Sequence, residues 1–555
     1  MNLVHSIQSL IVLGFCASLA ACSSGGDGGA PSSSPAPAPS AKAEVTQLIS
    51  VGLAGAANGQ SGHQPTHTVL PGAGAFTPFG RQVAISEDSG FIAFTSSASD
   101  LLLGDTNGVD DIYLRNRNGS ATTRISLGAG GIQADKASFS PVVSADGRYI
   151  AFASLAENLD PLLPADLSPS PVNILRRDRV TGITELVNVC FGLGCIGGTK
   201  SLAPLGPNQL EIKVPSMSDD GRFIAWTIGS SNVAAPFGSL FIRDMSLNAP
   251  PVSFTGASGY QFQAPTISGS GSNALLGEDS SGPQLPFSQG TIVATLSGDG
   301  KVIAFITDRA HIRRETPPPP APPIGDLNCD FDVYVGGVSL TEVPNPQVLP
   351  NIILLAPPQV LNVTRVTAMP DVCSTGQSTN RLVRHLALSR DGRFIAYATS
   401  NDELNGGDTN QKSDVYVYDR VFGTKELVSA ANGTPAAGAF GPGVLGVGDS
   451  FEFSISNDGN LVTFLSDAPN LVATDANGTT TDVFVRNRTT RETLLVSRQS
   501  GVQPRPGTAT RYPVISGDGR GLAFSSDAGD LIGTADTNGF FDVFLACSGA
   551  GVTCP

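Results

Sequence analysis

The chain has 555 residues, which is too long for one compact core unless it forms a closed array of repeats. Charged residues make up only 15% of the sequence and glycine occurs 64 times, a composition with many tight turns that favours an all-β protein. The net charge of −15 excludes a nucleic-acid groove, which needs a basic face, and it disfavours direct adsorption on anionic lipids.

The first residues predict export. The apolar stretch at 10–21 is too short to span a bilayer but suits the core of a signal peptide over residues 1–21. Its end, Leu19-Ala20-Ala21-Cys22, resembles the lipobox of bacterial lipoproteins, and this resemblance implies that Cys22 is lipidated. The alternative is an ordinary secretory signal followed by an unrelated cysteine.

Residues 22–44 are rich in Ser, Pro, Ala and Gly and predict a disordered tether between a membrane and a domain at 45–555. Ser24 stands where some enterobacterial lipoproteins carry an aspartate that retains them in the inner membrane. We therefore expect attachment to the outer membrane of the cell envelope, with the domain facing either the periplasm or the surface.

One short motif, Ser-x-Asp-Gly between two apolar segments, recurs along the chain. In the first copy it is Ser-x-Asp-Ser-Gly. Asp-Gly suits a tight hairpin because Gly accepts positive φ and Asp bonds its own backbone, so a turn explains these residues better than catalysis. The copies begin at Ser86, Ser144, Ser218, Ser297, Ser389, Ser456 and Ser516.

Each motif belongs to a longer unit of four strands. The hairpin is followed by a variable loop, a third strand such as 111–116, 414–419 or 482–487, a short turn, and a fourth strand such as 122–127. Repeated four-stranded antiparallel units predict the blades of a β-propeller. Seven blades are expected, and eight are the alternative because the segment from Ser268 contains a decayed copy of the turn.

The two ends of the domain complement each other. The seventh unit has no fourth strand after residues 542–547, whereas residues 45–50 show the fourth-strand pattern before any first strand occurs. We expect this N-terminal strand to complete the last blade and close the ring, which would leave no exposed sheet edge there.

The Ser-x-Asp-Gly-Arg-x-Ile-Ala-Phe units resemble the WD-like propeller repeats of TolB-type periplasmic proteins, over roughly residues 45–547. The resemblance implies the fold but no particular function, because propellers include both binding proteins and enzymes. The helical N-terminal domain of TolB has no counterpart in this sequence.

Apart from Cys16 in the signal peptide and Cys22, the chain has six cysteines. An even number is expected for disulfides in an exported protein. We predict Cys190–Cys195 and Cys547–Cys554 as small loop closures, which leaves Cys329–Cys373 as the third pair. A metal site at these cysteines is disfavoured because no Cys-x-x-Cys occurs.

The loop between the second and third strands repeats the pattern Asp-x-Asn followed by a second Asp. Its oxygen atoms suit calcium, which prefers hard oxygen ligands, but the bidentate Glu of an EF-hand is missing. The alternative, which we favour, is that these side chains make turns with the backbone. The candidate ligands are Asp105, Asn107, Asp111, Asp408, Asn410, Asp414, Asp475, Asn477, Asp482, Asp536, Asn538 and Asp542.

The sequence favours a binding protein over an enzyme. The histidines after the signal, His63, His67, His311 and His385, are scattered, and neither Gly-x-Ser-x-Gly nor His-Glu-x-x-His occurs. Our leading hypothesis is a non-enzymatic envelope lipoprotein that binds a protein or glycan partner through one loop face. The alternative is a hydrolase or lyase that acts on a carbohydrate or lactone with a metal in the central channel.

Overall fold

A computed structural model describes most of the predicted domain. The described residues are 45–53, 55–63, 81–161, 163, 172–188, 210–212, 215–230, 238–246, 291–307, 311–312, 324–325, 332–339, 342–344, 353–355, 359–367, 385–400, 410, 412–432, 446–473, 475, 477–498, 508–532 and 538–548. Within these residues, no helix has the length and apolarity that a membrane crossing requires.

The structure is a seven-bladed β-propeller of four-stranded antiparallel sheets, which confirms the predicted fold class. Blades are numbered by the order of their Ser-x-Asp-Gly turns. Blade 1 contains Val83–Ile85, Phe91–Ser96, Asp111–Asn116 and Ala121–Arg124; blade 2 contains Ser138–Val143, Tyr149–Ser154, Asn173–Asp178 and Ile183–Leu186. Blade 5 contains Leu386–Leu388, Phe394–Thr399, Asp414–Asp419 and Thr424–Leu427; blade 6 contains Ser450–Ile455, Leu461–Ser466, Asp482–Asn487 and Glu492–Leu495.

Blades 3 and 4 carry additions. In blade 3, Leu210–Ile212 and Ser216–Met217 both pair with Phe223–Ser230, which also pairs with Gly238–Asp244. Blade 4 contains Thr291–Leu296, Val302–Thr307, Asp332–Ser339 and Gln359–Arg365, with two small ribbons, His311–Ile312 with Ile324–Gly325 and Glu342–Pro344 with Ile353–Leu355. The decayed turn at Ser268, on which the eight-blade alternative depended, lies outside the described residues.

Blade 7 combines both ends of the domain. Its strands Thr510–Ile515, Gly521–Ser526 and Asp542–Cys547 are followed in the sheet by Val45–Leu48, which pairs antiparallel with Asp542–Cys547. A ribbon of Val51–Gly52 with Gly55–Ala56 follows. The short 3₁₀ helix Ala129–Gly131 lies between blades 1 and 2.

The first strands of the blades surround a central channel, and each contacts the first strands of its two neighbours in ring order, with blade 7 next to blade 1. The Ser-x-Asp-Gly turns are joined in the same order by backbone hydrogen bonds of 2.8–3.2 Å, such as Glu87 N–H to the Ala145 carbonyl and Asp518 N–H to the Glu87 carbonyl. This set of bonds holds one end of the channel at a fixed diameter.

The propeller has two faces. We call the end with the Ser-x-Asp-Gly turns and the third-to-fourth-strand turns the turn face, and the end with the second-to-third-strand loops and the connections between blades the loop face. In each turn the Ser hydroxyl donates to the Asp carboxylate and accepts a backbone N–H from the returning strand, as Ser144 does with Asp146 at 2.7 Å and Tyr149 at 2.9 Å. This arrangement explains the motif by turn formation.

The core lies between neighbouring blades. Aromatic side chains of the second and third strands stack in pairs, including Phe94 with Tyr113 and Phe464 with Phe484, whose ring centroids are 6.1 and 5.8 Å apart. The blade 6 pair shares one cluster with Val415 and other small side chains of blade 5. Each such buried ring contributes about 1.5–3 kcal/mol through the hydrophobic effect, so the blades stabilise one another.

Candidate functional site

The Asp-x-Asn loops form hydrogen-bonded boxes in blades 1, 5 and 7. In each, the Asn amide donates to the Asp that begins the third strand: Asn107 to Asp111 at 2.9 Å, Asn410 to Asp414 at 2.7 Å and Asn538 to Asp542 at 2.8 Å. The same amides donate to backbone carbonyls of the preceding or following connection. These contacts tie each loop to the blade beside it.

The third-strand Asp has a second fixed partner. A hydroxyl just beyond the fourth strand donates to its other oxygen and also accepts a backbone N–H, as Ser429 does with Asp414 at 2.6 Å and with Val415 N–H at 3.0 Å. Ser126 and Ser497 do the same in blades 1 and 6. Both oxygens of Asp414 are therefore used by protein donors, which is what the turn interpretation requires.

Blades 1 and 6 differ in how they compensate this buried Asp. In blade 1, Arg124 lies 3.0 Å from Asp105 and 3.6 Å from Asp111, and burial still raises the pKa of Asp111 to about 6. In blade 6 Leu495 replaces the arginine, and burial with the nearby Asp475 raises the pKa of Asp482 to about 6.

The calcium assignment stays a prediction. Within the described residues, no group of three or more His, Cys, Asp or Glu side chains is suited to hold a metal. Asp408 and Asp536 lie outside the described residues. Asn477 lies in the blade 6 loop, and its neighbour Asp475 is half-buried there.

Most of the other predicted sites lie outside the described residues: Cys22, Cys190, Cys195, Cys329, Cys373 and Cys554. Cys547 is buried at the end of the third strand of blade 7. The lipid anchor and the three disulfides therefore stay predictions. Of the histidines, His63 is buried beside Asp110, with Nε2 3.4 Å from Oδ1, and His385 lines the central channel.

The central channel contains a chamber of about 330 Å³ whose lining comes from the first strands of all seven blades. Most of the lining is aliphatic, including Val83, Val142, Leu296, Leu388 and Val514. The polar Ser216 bonds Leu296 N–H and Thr295 of blade 4, so it is satisfied within the wall.

An arginine crosses the channel at the turn face. Arg390 of blade 5 contacts Glu87 of blade 1 at 2.8 Å and Asp219 of blade 3 at 2.9 Å. Asn457 also donates to Glu87, at 3.2 Å. We call this set the Arg390 bridge. It places a compensated positive charge across the channel mouth.

The other end of the channel lies towards the loop face. Here the first strands of blades 2, 6 and 7 bulge at Ser140, Glu452 and Tyr512, each with a positive φ. Bulges re-aim side chains and interrupt pairing. Tyr512 N–H is bonded to the Glu452 side chain at 2.7 Å, and Arg81 donates to the Phe453 carbonyl across blade 7.

The loop face carries exposed apolar side chains on loops that are hydrogen-bonded together. Leu103 is 87% exposed, Leu53 62%, Ile132 55% and Phe540 36%. Leu53 N–H bonds the Asp100 carbonyl, and Gln133, next to Ile132, bonds the Gly104 carbonyl and Thr106 N–H. We call these four side chains the apolar patch; they lie on the loops of blades 7, 1 and 2.

The Arg390 bridge and Arg81 are not evident from the sequence motifs alone. The bridge is formed by the variable second residue of the turn motif, which is Glu in copy 1, Asp in copy 3 and Arg in copy 5. This pattern of opposite charges is visible in the sequence. Its meaning depends on the ring, which brings three turns that are distant in sequence to one opening.

No family model matches the chain, and comparison with curated proteins finds no relative. Similar solved structures include an acylaminoacyl peptidase in complex with Z-Gly-Gly-Phe-chloromethyl ketone, with 11% identity and a TM-score of 0.41 over 85% of this chain. They also include the β-propeller domain of the Trilobed protease from Pyrococcus furiosus (11%, TM-score 0.40, 85% of this chain and 94% of that one).

TolB from Acinetobacter baumannii is a further similar structure, with 14% identity and a TM-score of 0.32 over 74% of this chain. The chain spans 52% of the acylaminoacyl peptidase and 63% of this TolB. The structural neighbours thus include TolB proteins as well as peptidases.

Proposed function

We propose that this chain is a non-enzymatic lipoprotein of the bacterial envelope, anchored through Cys22, whose loop face binds a partner protein. The observation that carries the proposal is the apolar patch on the loops of blades 7, 1 and 2. These side chains differ from exposed apolar residues elsewhere because they lie on loops of three consecutive blades that are hydrogen-bonded to one another. An exposed apolar surface on such loops is typical of protein-binding sites.

The chemistry of the patch favours a protein over a glycan. Three of its members, Leu53, Leu103 and Ile132, are aliphatic and present no flat ring for a sugar to stack on. A protein partner would cover them with its own apolar side chains, which is favourable in proportion to the area buried.

The alternative, an enzyme with a metal in the channel, has less support. A metal site needs several His, Asp or Glu side chains directed at one point. In the described lining of the chamber, most side chains are aliphatic, and the carboxylate of Asp219 is engaged by Arg390.

The test compares the two faces. A photo-crosslinking residue is placed at Leu103 or Phe540 on the loop face, and at Val421 or Phe422 on the turn face; the two control side chains are 67% and 71% exposed. We expect one discrete protein adduct in intact envelopes from positions 103 and 540, and none from 421 and 422. A Leu103→Asp change should abolish the adduct formed from position 540.

Equal crosslinking from both faces, or an adduct that carries only glycan, would contradict the proposal. A soluble, unlipidated form of the chain in cells that process lipoproteins would contradict the anchoring at Cys22.

A further inference from the structure

Two arginines cross the channel at its opposite ends, and their surroundings differ. The guanidinium of Arg390 lies between two carboxylates, at 2.8 and 2.9 Å. Arg81 instead donates to the neutral carbonyl of Phe453. Among the described residues, no carboxylate lies within ion-pair distance of Arg81. The chamber of about 330 Å³ is lined by both arginines.

Arg81 is half-buried, and the loss of water around its guanidinium makes this second arginine costly. Desolvation lowers the pKa of Arg81 to about 10, and among the described residues Glu452 is the charged side chain that acts against this shift. A buried charge without a close counter-ion destabilises a protein by several kcal/mol unless another group compensates it. The loop-face end of the chamber therefore has unused capacity for an anion.

The charged side chains at the loop-face end of the chamber also favour the binding of an anion. Glu452 is influenced by both Arg81 and Arg511, so two guanidiniums act on one carboxylate. Burial raises the pKa of Glu452, and its Oε2 already accepts Tyr512 N–H. In a chain with a net charge of −15, this excess of positive charge among the described residues at one channel end is distinctive.

We propose that the chamber binds a medium-chain aliphatic carboxylate, with the carboxylate on the guanidinium of Arg81 and the chain among the aliphatic side chains of the first strands.

Size and wall chemistry select this class of ligand. A volume of about 330 Å³ is near the lower end of small-molecule pockets, which begin at roughly 300 Å³. The aliphatic side chains among the lining bind an alkyl chain. Ser216 is already bonded to Leu296 N–H and Thr295, so it has little to offer a sugar hydroxyl that has lost its water bonds. A cationic head group would meet Arg81 with the same charge.

The proposal is tested by isothermal titration calorimetry with sodium octanoate, kept well below its micelle concentration. Octan-1-ol and octylammonium serve as matched probes with the same chain and a neutral or positive head. Trp226, the only tryptophan, belongs to the core cluster against which Val142 and Met217 of the chamber wall pack, so its emission provides a second readout.

We expect one octanoate to bind per chain, with affinity at least tenfold higher than either matched probe. Arg81→Gln should lower octanoate affinity at least tenfold and remove the preference over octan-1-ol. Ala84→Leu, which keeps Arg81 but reduces the space beside it, should weaken octanoate and octan-1-ol together.

No binding to the unchanged protein, or equal affinity for octanoate and octylammonium, would overturn the proposal. So would unchanged octanoate affinity in folded Arg81→Gln protein. The comparison of head groups uses only the unchanged protein, so it decides the question even if Arg81→Gln fails to fold.

Discussion

The interface between blades 5 and 6 joins consecutive units, whereas the interface between blades 7 and 1, here called the seam, depends on a strand from the start of the domain. At the regular interface Arg488 of blade 6 donates to Glu426 of blade 5 at 2.9 Å. At the seam Arg117 of blade 1 donates to Gln47 of the N-terminal strand at 3.2 Å. The N-terminal strand thus reproduces a contact of an ordinary fourth strand, with a neutral acceptor in place of a charged one.

The hydrogen bonds inside the blade are also reproduced. Ser50 donates to Asp542 and accepts Val543 N–H at 2.9 Å, as Ser429 does with Asp414 and Val415. A strand that is distant in sequence therefore occupies the position of a fourth strand down to individual side chains.

On the turn face, by contrast, the seam differs from the regular interface. At the regular interface, Gly459 of the blade 6 turn faces Phe394, and a Cβ on this glycine would lie 2.1 Å from the ring. At the seam the small and large residues are exchanged: Ser89, with φ of 60°, replaces the turn glycine, and Gly521 replaces the aromatic residue. The interface needs one residue without a side chain at this contact, and either partner can supply it.

The largest effect should come from restoring the repeat pattern on one side of the seam only. A Cβ at position 521 would lie 2.2 Å from the Ser89 hydroxyl, so Gly521→Phe should destabilise the protein by about 3 kcal/mol, the upper part of the range for overpacking. Chemical denaturation measures this loss.

Ser89→Gly in the same chain supplies the missing space and should return at least half of that stability. A double mutant that is as unstable as Gly521→Phe alone would show that the exchange of residues is not compensatory. Ser89→Gly alone is the control for the relief of its left-handed backbone.

The seam should also respond to pH through His63, which lies on the segment that follows the N-terminal strand. Burial lowers the pKa of His63 from 6.5 to about 4. The unfolded chain therefore binds the proton first, and stability should fall by about 3 kcal/mol as the pH drops from 6.5 to 4. His63→Gln should remove this part of the pH dependence.

His63→Gln is the necessary control because two carboxyl groups raise the stability as the pH falls, opposite to the effect of His63. The pKa values of Asp111 and Asp482 are raised to about 6, so their protonation in the folded state favours folding below that pH. Equal pH dependence of the unchanged protein and His63→Gln would contradict the assignment to His63.

A smaller effect should come from the equivalent serines. Ser50→Ala removes the hydroxyl that donates to Asp542, and Ser429→Ala removes the hydroxyl that donates to Asp414. Both carboxylates are fully buried. Each change should cost about 1–3 kcal/mol, because a buried acceptor loses its partner. If the N-terminal strand is a full fourth strand, the two losses should agree within about 0.5 kcal/mol. A negligible loss for Ser50→Ala alone would show a loosely held strand.

The sequence predicted the fold because each repeated turn is a local structure: Ser, Asp and Gly form it without help from distant residues. It also predicted the third strands, such as 414–419, to the residue. The fourth strands end earlier than expected, at Arg124 rather than 127 in blade 1, because Leu127 N–H turns back to the Ile125 carbonyl.

The sites were harder to predict than the fold. The Asp-x-Asn pattern fits calcium as well as the turn that we favoured from the sequence, and only coordinates show that Asn410 donates to Asp414. Arg81 lies in no motif, and its importance comes from the Phe453 carbonyl, 372 positions away in sequence. The exchange of Ser89 and Gly521 is visible as two irregular copies of the repeat, but their relation requires the contact between blades 7 and 1.

The smallest expected effect is a gain at the seam. Gln47→Glu gives Arg117 the charged partner that Arg488 has in Glu426, and both partners are partly buried on the surface of the blade. Because such ion pairs contribute about 0.2–1 kcal/mol and are screened by salt, stability should rise by about 0.5 kcal/mol at low ionic strength and less in 1 M salt. The converse change, Glu426→Gln, should lower stability by the same amount. A loss of stability in Gln47→Glu would mean that Arg117 is directed to the Ser89 carbonyl, its other acceptor, and not to the N-terminal strand.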